Sequence, residues 1–309
     1  MLVRGVDWST GQPRLAYQQV LSQNVVGQNV VSQDTVDGAL PLTLGSTLGF
    51  KVLDGRRHCL GFSTVPGPTS AFHTRCPSGA LAERGYQCGP CFARDDFRYM
   101  HDFHRGGTAP EGLRAYLAQP HWLYIASFAN GASKVGTASQ LRKTVRLAEQ
   151  GAVTAQYVAE AEDGRIVRML EDSVSEGLGL PQQVRSATKL SSLTQPWSLV
   201  AIQETNQATA SRVREHLNAV GLPGFSVVEE LWQPSPLAAG LTSSAQREPY
   251  PLTLDGGEHG LPLNAMLGPF AVAELEGTDF VLNLGELKGK LIELGEFHSE
   301  LPARQTSLF

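Results

Sequence analysis

All four cysteines of the 309-residue chain fall between positions 59 and 91: Cys59 in RRHCLGF, then Cys76, Cys88 and Cys91 in CPSGALAERGYQCGPC. A segment rich in Gly and Pro, with little hydrophobic periodicity, has few side chains from which to build a core, so a cross-link is the natural tie. The start of the chain, MLVRGVDWSTGQPRLAYQQV, has no basic region leading into an apolar run, and the expectation is a cytoplasmic protein whose thiols stay reduced. Reduced thiols gathered in this way point to a metal, and zinc suits four soft thiolates in a tetrahedron. Cys88 and Cys91 supply the two-residue gap of a tight knuckle, and Cys59 and Cys76 complete the set. His58, His73, His101 and His104 are close enough in sequence to replace a cysteine. A closed four-thiolate site leaves zinc no open position, so its expected role is structural.

The net charge of -5 argues against a chain that coats nucleic acid indiscriminately, but the charge is uneven. Residues 51 to 199 carry 17 Lys or Arg against 13 Asp or Glu, and residues 200 to 309 carry 6 against 14. Contact with a polyanion is therefore expected through the middle of the chain or not at all. No run approaches the length of a membrane-spanning helix. No phosphate-loop, nucleophile-elbow or zincin motif is present, which disfavours P-loop NTP hydrolysis, an α/β-hydrolase triad and zincin proteolysis.

The first fifty residues read as short antiparallel strands, and the acidic end of the chain reads as a second β-rich module that these strands complete. From PHWLYIASF the pattern is strand, turn, strand at KVGTA, then a helix in SQLRKTVRLAEQGA with Ser139 as its cap and Gly151 as its end. VTAQYVAEAE reads as a third strand and RIVRMLEDSVSEGL as a second helix. WSLVAIQ reads as a strand, followed by a helix over 208–220. Residues 233–257 read as a long loop. The segment RDDFRYMHDFHRGG brings Asp95, Asp96, His101, Asp102 and His104 together, either as metal or acid–base groups or as a polar stretch paired with Arg94, Arg98 and Arg105.

WLYIASFANGASKVGTASQLRKTVRLAEQGA followed by GRIVRMLED resembles the GIY-YIG nuclease superfamily, in the form where a K-[IV]-G triplet replaces the second motif. Together with the cysteines, the order also resembles an uncharacterised bacterial and archaeal family, catalogued as a domain of unknown function, that joins a zinc-binding segment to such a core. The resemblance implies that Tyr124 takes the first-motif tyrosine position, Lys134-Val135-Gly136 the second triplet, Arg146 the helix arginine (with Arg142 as competitor), and Glu171 the carboxylate that binds Mg²⁺ or Mn²⁺. Such residues serve phosphodiester hydrolysis: Tyr124 to orient or deprotonate water with its pKa lowered by Lys134, and Arg146 to grip phosphate. Each also has an ordinary reading, Tyr124 as a packed core residue, Lys134 as a strand-end lysine, Arg146 paired with Glu149 or Glu160, and Glu171 paired with Arg168.

The resulting expectation is an α/β (α+β) GIY-YIG-like core over 118–190, a zinc-bound segment over 51–117, a β-rich segment over 1–50 and an acidic α+β module over 191–309. The expected function is a metal-dependent endonuclease or related phosphodiester-acting enzyme. The alternatives are a non-catalytic nucleic-acid binder using Arg142, Lys143 and Arg146, and a pocket turned to a small molecule, which an enclosed site at Tyr124 and Glu171 would favour.

Overall fold

The computed structural model describes residues 1–26, 29–100, 103, 106–243 and 245–302. His101, Asp102, His104 and Arg105 lie outside the described residues, and so does any reading of them as ligands or acid–base groups.

Four strands open the chain: β1 (Leu2–Asp7), β2 (Arg14–Val26), β3 (Asn29–Pro41) and β4 (Thr47–Asp54). The hairpin β5 (Phe62–Gly67) and β6 (Ser70–Thr74) follows, then α1 (Gly89–Arg94), a 3-10 turn (Asp96–Tyr99) and α2 (Glu111–Leu117). Next come β7 (His121–Ser127), β8 (Ser133–Ser139), α3 (Lys143–Gln150), β9 (Thr154–Ala161) and α4 (Gly164–Leu178). After α5 (Ser186–Ser192), α6 (Leu199–Ala219), β10 (Phe225–Trp232) and α7 (Ala239–Thr242), the chain closes with β11 (Glu248–Pro249), β12 (Gly257–Leu267), β13 (Phe270–Leu275), β14 (Thr278–Asn283) and β15 (Leu291–Leu294).

The two ends of the chain build one sheet of nine strands, ordered β11-β14-β13-β12-β4-β15-β1-β2-β3. Strand β15 sits between β1 and β4, with Leu2 opposite Leu291 and Phe50 opposite Leu294. Phe50, Leu261, Leu263, Val3, Leu15 and Ile292 form its buried core. Gly49 and Gly260 face each other across β4 and β12. The chain after β15 lies directly on them: a Cβ on Gly49 would stand 2.1 Å from the Gly295 carbonyl, and one on Gly260 would stand 2.2 Å from that of Phe297. Ser299 fixes this crossing by accepting from the Gly260 N–H at 3.1 Å.

The middle of the chain forms a four-stranded antiparallel sheet, ordered β10-β9-β7-β8. On one face Leu123, Ile125 and Val158 pack against Val167, Leu170 and Val174 of α4 and Ala210, Val213 and Leu217 of α6. On the other, Trp122, Tyr124, Phe128 and Tyr157 pack with Leu147 of α3. Alternation along β7 explains the split, since successive side chains point to opposite faces. Asp163 caps α4 by accepting from the N–H groups of Arg165 and Ile166, and left-handed Gly151 and Gly179 end α3 and α4.

Two local expectations are corrected. WSLVAIQ is not a strand but runs into α6, because Ser198 caps the helix and Ile202, Asn206, Ala210, Val213 and Leu217 recur on one buried helical face. Ser139 makes no capping hydrogen bond; a 3-10 turn separates it from α3, and its hydroxyl meets that of Tyr116 at 3.2 Å. Among the described residues no helix is long and apolar enough to cross a membrane. The fold class is mixed α and β, with two large sheets and a cluster of four cysteines.

The glycine pair under the terminal segment makes that crossing intolerant of a side chain. Gly260→Ala is expected to cost about 1–3 kcal/mol and to expose the segment after β15 to limited proteolysis, read by thermal melting and by mass spectrometry of the cleavage products.

Candidate functional site

The sulfurs of Cys59, Cys76, Cys88 and Cys91 lie within 4.8 Å of one another, and all four residues are buried. Four sulfurs bound to zinc at its usual bond length stand about 3.8 Å apart, and the Cys76 and Cys88 sulfurs are 3.9 Å apart. Cys59 Sγ also accepts from the N–H groups of Cys88 at 3.1 Å and Gly61 at 3.3 Å, the usual second layer around a thiolate. The four cysteines can therefore hold a metal such as zinc. Without a cation the crowded thiols are forced apart in acidity. Burial pushes Cys59 up to about 11. It pushes Cys76 up as well, but the Ser78 hydroxyl and the N–H groups of Ala80 and Ser78 outweigh it and hold that thiol at about 7.

The cluster positions the chain beyond it. Cys88 is the first residue before α1 and Cys91 lies within it. Asp95 then caps the 3-10 turn by accepting from Phe97 N–H at 2.8 Å, and the Asp96 carboxylate accepts from Val65 N–H on β5 at 2.7 Å. Phe97 packs edge-on against Tyr116 of α2, with ring centroids 6.0 Å apart. The cysteine segment thus sets an aromatic wall, Phe97, Met100, Phe103 and Tyr116, against the four-stranded sheet.

Between that wall and the sheet, along its edge strand β8, is a pocket of about 710 Å³. Tyr124 comes from β7, Lys134 and Gly136 from β8, Arg142, Arg146 and Gln150 from the α3 region, Arg168 and Glu171 from α4, and Lys189 from α5. Tyr124 is 0% exposed, Lys134 7% and Glu171 3%. Gly136 stands opposite Tyr124 across the β7–β8 pair, and the tyrosine ring lies over it; a Cβ there would be 2.5 Å from the Tyr124 hydroxyl oxygen. The glycine of the KVG triplet is thus required by the close approach of the ring.

The pocket contains five cationic side chains and one carboxylate. Burial, reinforced by Lys189 and Arg146, brings Lys134 down to about 8. Burial likewise brings Lys189 down to about 8, with Arg146 adding to it. Lys134 Nζ donates to the Gln182 carbonyl at 3.3 Å and lies 5.6 Å from the centre of the Tyr124 ring. Lys189 donates to the Gln150 carbonyl at 2.9 Å. Burial raises Glu171 against the pull of Arg168, which donates to it at 2.5 Å. No carboxylate of the described residues pairs with Arg146, since Glu149 is taken by Arg142. Tyr124 accepts from Gln150 Nε2 at 2.6 Å, leaving its own proton free to donate.

Four expected site residues, Tyr124, Lys134, Arg146 and Glu171, meet in this pocket, and Arg142 reaches its rim. Lys143 does not line it. Its ammonium sits 3.2 Å from the centre of the Trp122 ring and pairs with Glu230 at 2.6 Å, so it is not free to meet a phosphate. The idea that Lys134 lowers the Tyr124 pKa also needs correction: burial raises it, and neither Arg146 nor Gln150 reverses this. Sequence reasoning missed Lys189, Gln150 and the aromatic wall. Gln150 was within reach, four residues after Arg146 on one helix; Lys189 and the wall arrive through packing of distant segments and leave no local signal.

A mixed α and β protein with a four-thiol cluster capable of holding zinc, and a basic pocket walled by the same segment, is the class that these features define. Residues 47–230 match the family model described as protein of unknown function (DUF2797), and the chain belongs to that family. No curated protein and no solved structure matches the chain.

Purified protein is expected to carry one zinc per chain by elemental analysis, and Cys88→Ser to lose it. Stripping the metal should accelerate hydrogen exchange in residues 59–100 while leaving β7 and β9 protected, because those strands have an apolar core of their own.

Proposed function

We propose that the pocket binds and acts on a phosphodiester, in the manner of a GIY-YIG-like core. The observation that carries this reading is the convergence of Lys134, Lys189, Arg146 and Arg168 on a site holding one carboxylate, Glu171. Burial lowers the pKa values of Lys134 and Lys189, and the neighbouring Arg146 adds to the shift in both. An anion relieves both effects. The order strand, strand, helix, strand, helix from β7 to α4 supports the same reading.

In this mechanism Arg146, which has no carboxylate partner among the described residues, grips the phosphate through two parallel N–H bonds. Tyr124 donates its hydroxyl proton to a non-bridging oxygen. Lys134, kept cationic by the bound anion, lies against the phosphate and can give a proton to the leaving oxygen as its P–O bond breaks, in place of the base role first assigned to the tyrosine. Glu171 is the one pocket residue that would hold Mg²⁺ or Mn²⁺; a single carboxylate fits such an ion once phosphate oxygens and water complete its shell. An ion there would offset charge on the phosphate and acidify a water.

The burial of Tyr124, Lys134 and Glu171 in a half-open pocket favours a second reading, in which a small phosphate-bearing molecule is the substrate.

Labelled single- and double-stranded DNA and RNA, incubated with Mg²⁺ or Mn²⁺, test the first reading. Cleavage is expected, and Glu171→Gln should reduce it by about 10²-fold or more without loss of folding. Undiminished cleavage by that variant removes Glu171 from the mechanism, and binding without turnover makes the protein a binder only.

Anion affinity has a predicted pH dependence. Both lysines are charged well below pH 8 and lose their protons as pH rises through that value, while the arginines stay charged. Affinity for inorganic phosphate, measured by calorimetry, is expected to fall between pH 7 and pH 9, with a midpoint above 8 because the bound anion holds the protons on. Lys134→Met should flatten the fall.

A further inference from the structure

The pocket is lined by two unlike surfaces, and the phosphodiester reading uses one of them. The cations of α3, α4 and α5 and Lys134 explain a phosphate. They leave unexplained the opposite wall, where Phe97, Met100 and Phe103 are half-buried, pack against Leu113, Tyr116 and Leu117, and face the same space. A pocket built for a bare phosphate needs no such wall beside its cations.

Resting on that reading, we propose that the pocket takes a single unpaired nucleotide, with the base against Phe97, Met100 and Phe103 and the phosphate on Arg146, Lys134 and Lys189. Three observations support it. The volume, about 710 Å³, lies in the range that encloses a whole small ligand. The apolar and aromatic side is continuous with the cationic side, as a base joined to its phosphate requires. Of the groups assigned to the phosphate, Arg146 is exposed, Lys189 is half-buried and Lys134 is 7% exposed, beside Tyr124 at 0%. A duplex holds its phosphates on the rim of a stiff cylinder and cannot bring one to such depth. An unpaired residue, at an end, in a loop or extruded from a stack, can be swung in.

The wall also gives the cysteine cluster a part in recognition. Phe97 is six residues beyond Cys91, on the 3-10 turn that Asp95 caps and Asp96 ties to β5. A metal in the cluster therefore fixes the height of the wall over the pocket, at a distance from the reacting phosphate.

The test compares four probes on the wild-type protein by calorimetry at pH 7: inorganic phosphate, ribose 5-phosphate, adenosine 5′-monophosphate and uridine 5′-monophosphate. All are expected to bind, with the nucleotides roughly tenfold to a hundredfold tighter than ribose 5-phosphate, the contribution of one stacked base. Phe97→Leu keeps an apolar side chain and removes the aromatic face, and should erase most of that advantage while leaving ribose 5-phosphate affinity in place, which also reports an intact fold. An unstructured oligonucleotide should displace the nucleotide, and a blunt-ended duplex of two fully complementary strands, of equal charge, should not. Equal affinity for ribose 5-phosphate and nucleotide on the wild type overturns the proposal while leaving phosphate binding intact. Equal competition by the duplex overturns the requirement for an unpaired residue. Failure of every phosphate compound, inorganic phosphate included, removes the phosphodiester reading beneath it.

Discussion

Four sulfur atoms carry the arrangement on which the pocket depends. Among the described residues, the buried cluster of Cys59, Cys76, Cys88 and Cys91 has only Phe62 and Ala80 packed against it as partly buried apolar neighbours, too little surface to order a segment of this length through the hydrophobic effect. Coordination by a metal would supply directed, strong bonds in place of area, and would convert free thiols that cannot all ionise together into four ligands. From Cys91 the order is passed on by short-range hydrogen bonds, through Asp95 and Asp96, to Phe97 and its contact with Tyr116. The aromatic wall is thus an extension of the cluster and belongs to it energetically.

The other side of the pocket is the edge strand β8, and its chemistry derives from what an edge must avoid. An unpaired edge invites another strand to add to it, and here the Val135 N–H is answered by the Pro181 carbonyl at 3.1 Å while Lys134 turns inward. An inward lysine on an edge strand is a known guard against pairing, and in this protein it also provides the deepest cation of the pocket. Gly136 completes the arrangement, because without a side chain there the Tyr124 ring can lie flat across the strand pair. The same cross-strand pairing recurs in the large sheet, where the Tyr17 ring covers Gly38. A ring laid over a strand glycine restores the packing that the missing side chain forfeits.

The part of the molecule legible from the chain alone ends at a physical boundary. The cysteine cluster was legible because metal ligation depends on residue type and closeness in sequence. Tyr124, Lys134, Arg146 and Glu171 were legible as a set because each sits at a fixed place in a local run of strands and helices, and such runs bring the same positions together. Lys143 was misplaced because one step along a helix turns a side chain by about 100°, enough to move it from the pocket to the Trp122 ring and Glu230. WSLVAIQ was misread because a short apolar run has no period, and only the cap at Ser198 and the later positions of α6 decide it. Lys189 and the aromatic wall were invisible because their place is set by tertiary packing between segments far apart in the chain.

The balance of charge in the molecule sharpens what the pocket can accept. The chain as a whole carries -5, with the excess of acid in its final third, so the far field does not draw in a long polyanion. Inside the pocket the balance is reversed, with five cations against Glu171, of which Lys134 is buried, Arg168 and Lys189 are half-buried, and Arg142 and Arg146 are exposed. Attraction is therefore least screened by solvent and salt at Lys134. A ligand must bring its charge in by entering, and every additional phosphate left outside adds nothing favourable from this site. Under the phosphodiester reading this arrangement selects for one deeply placed phosphate over many superficial ones. That selection is a property of the fold's geometry: the cations are gathered from α3, α4, α5 and β8 onto one point, and no single element carries enough of them to form a basic face alone.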